Sequence, residues 1–303
     1  MAGPLRFEKW QALGNDYLII ERDGLPFELT PARIRRLCEG HFGVFADGVL
    51  LLCQPADPAH VADLRIFNPD GSEAELSGNG AREAILYLRR RGWTDRDSFA
   101  IHTAAGEIRP RITGADTCTV DMGRASLQSQ DFPAGPQDGR GEVSVGGRAW
   151  AFRHVSIGNP QCAIHVASEA ELEALELGAI GPEIEGHERF PNRTNVSWYT
   201  ELGSSPSAAT GPSSRIRARI FERGVGETLS SGTGATGAAV AHVQEQRPGG
   251  VSAGAARVTV LLDGGELEVE VGEDLRVNLT GWARPVFAGS LSEDFQKELH
   301  ETE

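Results

Sequence analysis

The sequence has no long apolar run and no excess of basic residues, and its few cysteines and histidines fall in no metal-binding pattern. The apolar segment Val49–Cys53 suits a buried strand and falls far short of the roughly 20 apolar residues that a membrane-crossing helix needs. The N-terminal stretch MAGPLRFEKWQ has no basic flank followed by an apolar core, so no secretory signal is expected. Lysine and arginine total 29 against 43 aspartates and glutamates, a net charge of −14. A chain this acidic, without a basic stripe, repels phosphate backbones, which makes nucleic acid a poor candidate partner. The four cysteines, at 38, 53, 118 and 162, form no C-x-x-C pair and read as free thiols of a reducing cytoplasm. The eight histidines include no H-x-H or H-x-x-x-H pair, so a metal site is not expected.

What the chain does contain is a copy of itself. Arg65–Ala84 (RIFNPDGSEAELSGNGAREA) aligns without a gap on Arg219–Ala238 (RIFERGVGETLSSGTGATGA), at a constant offset of 154 and with nine of twenty positions identical. A weaker echo links Leu13-Gly14-Asn15-Asp16 to Ile157-Gly158-Asn159-Pro160 near the start of each half. A period of half the chain marks a duplicated domain and excludes a solenoid, and 303 residues suit two domains.

Each half reads as short strands around one apolar helix. The strands expected first are Tyr17–Glu21, Gly48–Cys53, Leu64–Asn68, Phe99–Thr103, Glu107–Ile112 and Cys118–Asp121. Those of the second half are Arg153–Ser156, Gln161–Val166, Asn195–Glu201, Ile216–Glu222, Arg257–Leu262, Gly265–Val271 and Leu275–Thr280. The helices expected, Gly80–Arg91 and Gly234–Glu245, are small-residued and apolar nearly all round, a pattern found where other elements enclose a helix. The fold class expected is α/β (α+β), with two pseudo-symmetric domains, each a curved mixed sheet wrapped around a central helix. The first spans 1–124 with 283–303, the second 125–282. Gly203–Ser214 reads as a loop, and Ser290–Glu303 as a short surface helix outside the chemistry.

Within the repeat stand two Ser-Gly-x-Gly turns, Ser77–Gly80 and Ser231–Gly234, each leading into its helix. A helix start leaves N–H groups unpaired and carries partial positive charge, while glycine lets a ligand come close; together these favour a carboxylate or phosphate. One such turn could be a serine capping its helix and nothing more. Two at matched positions are expected to face a single small-molecule cleft between the domains. Asn15, Asn68, Asn159 and Asn195 lie in adjoining turns, where asparagine is also a common structural residue. Glu222-Arg223 occupies the repeat position matched to Asn68-Pro69.

Taken in order, GNDY (14–17), FNPDGSEAELSGNGAR (67–82), GNP (158–160), FPNRTNV (190–196) and ERGVGETLSSGTGA (222–235) resemble the motifs of the diaminopimelate epimerase family over essentially the whole chain. The resemblance implies a cofactor-independent, cytoplasmic, homodimeric isomerase that interconverts LL- and meso-diaminopimelate for lysine and peptidoglycan synthesis. It implies that Asn15, Asn68, Asn159, Asn195, Glu222 and Arg223 hold the substrate. Gly78, Asn79, Gly232 and Thr233 would present donors to its α-carboxylate. The acid and base would be cysteines immediately before Gly-Asn-Gly and Gly-Thr-Gly, where this chain has Ser77 and Ser231, and Gln161 stands where the family places histidine.

A thiol titrates near 8.5 and falls further at a helix start, whereas a serine hydroxyl lies far higher than a helix terminus worth roughly 0.3–2 kcal/mol can reach. Serine works as a base only when a neighbour takes its proton. Three readings follow: a divergent epimerase that still works, through Ser77 and Ser231 or through a base the sequence does not reveal, a homologue performing another isomerisation or elimination, and a protein that binds an amino acid without turnover. Cys162, beside the GNP turn, is expected to be packed.

Overall fold

The computed structural model describes residues 4–203, 213–246 and 255–302. Strands β1 (Arg6–Ala12) and β2 (Asn15–Glu21) open the chain, followed by α1 (Pro31–Cys38), β3 (Val49–Cys53), β4 (Asp63–Phe67) and β5 (Glu73–Ala74). Helix α2 (Gly78–Arg90) precedes β6 (Ile101–Thr103), β7 (Gly106–Ile108), β8 (Arg111–Ile112) and β9 (Thr117–Arg124). Next come β10 (Arg140–Val145), β11 (Arg148–Ser156), β12 (Pro160–His165), α3 (Glu169–Glu173), α4 (Leu177–Glu185), β13 (Asn195–Glu201), β14 (Ser213–Glu222) and β15 (Gly226–Thr228). Helix α5 (Gly232–Gln246), β16 (Ala256–Leu262), β17 (Gly265–Val271), β18 (Arg276–Trp282), β19 (Arg284–Ser290) and α6 (Glu293–Glu301) complete it. The chain divides into two compact units, Met1–Val120 with Gly281–Glu303, and Asp121–Thr280.

The duplication read from sequence reappears as a duplicated order of strand pairing. In the first unit the order is β19-β1-β2-β3-β4-β6-β7, with β5 on β4; in the second it is β10-β11-β12-β13-β14-β16-β17, running on to β18, with β15 on β14. The parallel pairings fall at matching places, β2–β3 and β4–β6 against β12–β13 and β14–β16. The first unit recruits its outer strand from the far C-terminal end of the chain, while the second uses the adjacent β10. The fold is thus the mixed α+β class expected, and each sheet holds one helix buried along its length: α2 from Asn79 to Leu88, α5 at Gly232 and from Gly234 to Val243.

Close helix–sheet packing explains the second glycine of each turn. A Cβ on Gly80 would stand 3.0 Å from Leu50 Cδ2, and one on Gly234 would stand 2.7 Å from Ile220 Cδ1. Real Cβ atoms do not tolerate such approaches comfortably, so these glycines let the first helical turn lie against its own sheet. The echo before each repeat is also structural. Gly14 (φ 85°) and Gly158 (φ 87°) both turn in the left-handed region, where only glycine is at ease, between β1 and β2 and between β11 and β12.

Several local expectations need correction. Glu107–Ile112 is not one strand but β7 and β8, broken where Pro110 offers no N–H to a ladder. The C-terminal tail is not merely superficial: Leu299 is fully buried in the first unit's core, and Arg33 donates to the carbonyls of Leu299 (2.6 Å) and His300 (2.9 Å). The loop expected over Gly203–Ser214 lies outside the described residues, apart from Gly203 and from Ser213–Ser214, which belong to β14. Among the described residues, no helix is long and apolar enough to cross a membrane.

Candidate functional site

In the first unit, Ser77 is the N-cap of α2: its backbone is extended (φ −127°, ψ 121°) and its Oγ accepts the Gly80 N–H at 3.1 Å. The same Oγ lies 3.2 Å from the Tyr17 hydroxyl of β2, which donates to it. A hydroxyl oxygen has two lone pairs, and these two donors fill both. The proton of Ser77 is therefore directed away from them.

Around this turn runs a set of amides with fixed polarity. Arg82 donates to the Gly78 carbonyl (3.0 Å) and to Asn79 Oδ1 (2.6 Å). Asn79 Nδ2 donates to Asn15 Oδ1 (3.2 Å), and Asn15 Nδ2 donates to Asp47 (2.9 Å). Asn15, Ser77, Gly78 and Asn79 thus meet at one helix start. Asn68, just after β4, makes its side-chain bond within its own turn, to Ser72 Oγ at 2.9 Å.

In the second unit, Ser231 caps α5, accepting the Gly234 N–H at 3.2 Å. It is 4% exposed, and its hydroxyl is one of two that lower the pKa of Glu222, the last residue of β14. Thr228 Oγ1 donates to the same carboxylate at 3.0 Å. Burial raises the Glu222 pKa above its ordinary 4.5, partly offset by these two hydroxyls. Gln161, wholly buried, donates to Asn159 Oδ1 at 2.8 Å, and Asn159 Nδ2 reaches Thr233 Oγ1 at 3.3 Å. Asn195 clamps two segments, donating to the Pro160 carbonyl (3.0 Å) and accepting the Arg223 N–H (2.9 Å). Arg223 itself is exposed and donates to the Asn192 carbonyl.

No displaced thiol substitutes for these hydroxyls. All four cysteines are free. Burial pushes Cys38 and Cys118 up to about 12, Cys162 well above 9.0, and Cys53 upward as well. Cys162 is fully buried in the hydrophobic core of the second unit, as its packing expectation requires. A surface groove of about 680 Å³ in the first unit, lined by Trp10, Arg89, Arg90 and Pro285 among others, contains none of the sequence-derived site residues. Among the described residues there is no cluster of three or more potential metal ligands.

Sequence reasoning missed Tyr17, Asp47 and Arg82. Arg82 lies inside a quoted motif, yet only the fold reveals that it is wholly buried with no ion pair among the described residues. Tyr17 and Asp47 meet their partners across 60 and 32 residues of chain, a separation that no local pattern encodes.

Comparison with known proteins converges on one family. The diaminopimelate epimerase family model matches residues 7–128 and 153–284. A diaminopimelate epimerase of Synechococcus sp. (strain JA-3-3Ab) is 40% identical, covering 97% of this chain and 100% of that protein. The chloroplastic diaminopimelate epimerase of Oryza sativa subsp. japonica is 37% identical, covering 94% and 80%. Among solved structures, the fold resembles a phenazine biosynthesis protein of the PhzF family from Bacillus anthracis (TM-score 0.68, 18% identity, 96% and 99% covered). It also resembles a hydroxyproline epimerase from Agrobacterium vitis (TM-score 0.64, 14% identity, 96% and 93% covered). With the motifs, the family model and relatives up to 40% identical over nearly all of this chain in agreement, this chain belongs to the diaminopimelate epimerase family.

Proposed function

We propose that the protein is a cofactor-independent isomerase that epimerises LL-diaminopimelate to meso-diaminopimelate, using Ser77 and Ser231 as its proton-transferring groups. The observation that carries this reading is that the Tyr17 hydroxyl donates to Ser77 Oγ, giving that serine a second group suited to proton transfer; in the second unit Ser231 lies close enough to the Glu222 carboxylate to hold its pKa down.

The coupling answers the weakness of serine as a base. Ser231 passes its proton to Glu222 while its oxygen takes the α-proton, so no free alkoxide forms and the net acceptor is the carboxylate. Ser77, with both lone pairs filled, gives its proton to the α-carbon and regains one from Tyr17. Proton exchange with solvent, or turnover of meso-diaminopimelate in the reverse direction, returns Glu222 and Tyr17 to their starting states. The carboxylate-binding groups are the first-turn N–H groups of α2 and α5, at Gly78, Asn79, Gly232 and Thr233, where helix ends favour anions. Asn15, Asn68, Asn159, Asn195, Glu222 and Arg223 complete the substrate contacts, with Glu222 also serving as base. A homodimer in the cytoplasm is the setting we assign, and no cofactor takes part.

A second reading is a catalytically altered or inactive homologue that binds a related amino acid or performs another isomerisation or elimination. It is favoured by the capping bonds themselves, which give both serines a structural task without chemistry. Exchange of the substrate α-hydrogen with solvent separates the two.

A further inference from the structure

Arg82 is fully buried in the second turn of α2, its guanidinium reaching back to the Gly78 carbonyl at the helix start; it has no ion pair among the described residues, and its Nε has no partner. A cation at a helix start opposes the helix dipole, and a buried guanidinium is costly to desolvate. The neighbouring Glu83, also fully buried, makes no ion pair with it among the described residues, and burial raises its pKa well above 4.5. At the other end of the amide chain stands Asp47, which accepts from Asn15 Nδ2 (2.9 Å) and from the Asp16 N–H (3.0 Å). Lys9 is paired with Asp16 at 3.0 Å, closing the far side of this network.

The chemistry of the two ends dictates the middle. A guanidinium can only donate and an ionised carboxylate can only accept. Arg82 therefore forces Asn79 to present Oδ1 toward it and Nδ2 toward Asn15. Asp47 forces Asn15 to present Nδ2 toward it and Oδ1 toward Asn79. Either amide flipped would place donor against donor or acceptor against acceptor.

We propose that Arg82 and Asp47 are positioning residues that lock the side-chain amides of Asn79 and Asn15 in the single orientation that receives the carboxylate and ammonium of an α-amino acid. This rests on the assignment of Asn15 and Asn79 as substrate contacts. Neither Arg82 nor Asp47 touches substrate in this account; both act through the amides.

The test uses Arg82→Met, Arg82→Lys, Asp47→Asn and the double variant Arg82→Met with Asp47→Asn in the full-length protein, with two readouts. In the ligand-free protein, hydrogen exchange at the Asn15 and Asn79 side-chain amides, followed by NMR, is expected to accelerate at least tenfold at both residues in either Met or Asn variant. Arg82→Lys should restore part of the protection. In the second readout, KM and Kd for diaminopimelate should rise at least tenfold in Arg82→Met with a smaller change in kcat. The double variant should be no worse than the weaker single variant within a factor of two to three, because one chain is broken at either end. Unchanged amide exchange overturns the proposal whether or not the ligand binds. Strictly multiplicative losses, or losses matched by an equal fall in Tm, also overturn it. Failure of the unmodified protein to bind diaminopimelate would instead remove the substrate assignment, leaving the exchange readout to decide the proposal.

Discussion

The Tyr17 hydroxyl donates to Ser77 Oγ at 3.2 Å, linking the second strand of the chain to the N-cap of its central helix. Tyr17 is 5% exposed, so its ring is largely withdrawn from bulk water. In the proposed reaction it is the reservoir that restores the Ser77 proton.

Tyr17→Phe keeps the ring that packs beside Gly48 but removes the reservoir. Epimerisation is expected to fall by roughly 10²–10⁴-fold, the usual contribution of a general acid or base. Hydrogen exchange without inversion should persist for the epimer whose α-proton Ser231 removes. Chiral chromatography of the reaction in D₂O, with deuterium incorporation read by mass spectrometry, checks both.

Glu222 gives the pH dependence its sign. Its pKa is raised above 4.5 by burial, so the ionised form that accepts a proton appears only above the ordinary carboxylate range. The acid limb of kcat/KM should lie above pH 4.5 and vanish in Glu222→Gln together with most of the activity. A carboxyl group with a raised folded pKa stabilises the fold below its unfolded pKa and loses that contribution as pH rises through the folded value. Glu222→Gln should therefore raise Tm at neutral pH relative to the unmodified protein while activity falls. Calorimetry beside a pH–rate profile measures the pair.

Replacing Ser77 and Ser231 together by cysteine places a group with pKa near 8.5 at two helix starts that lower it further. If the surrounding contacts are those of an epimerase, steady-state activity should rise by roughly one to three orders of magnitude. A folded, ligand-binding double variant with no gain would count against the epimerase assignment.

The part of this fold legible in the sequence is the part that the chain repeats. The gap-free alignment of Arg65–Ala84 on Arg219–Ala238 became matching β4–β5–α2 and β14–β15–α5 arrangements, because strand, turn and helix start are local. Strand β1 escaped notice because charged Glu8 and Lys9 interrupt its apolar pattern, and a register shift against β19 falls at Lys9/Trp10. The use of β19 to close the first sheet is a long-range event with no local trace. The serines and asparagines of the site were visible as turn residues. Their coupling to Tyr17, Asp47 and Arg82 arises only when distant strands are brought together.

The most direct test of the central claim is α-hydrogen exchange of LL-diaminopimelate in D₂O with the unmodified protein. Deuterium is expected at the α-carbon together with appearance of meso-diaminopimelate, both lost in Ser231→Ala and in Ser77→Ala reduced to exchange without inversion. Tight binding of diaminopimelate with no deuterium incorporated would contradict it and leave a protein that holds an amino acid without turning it over.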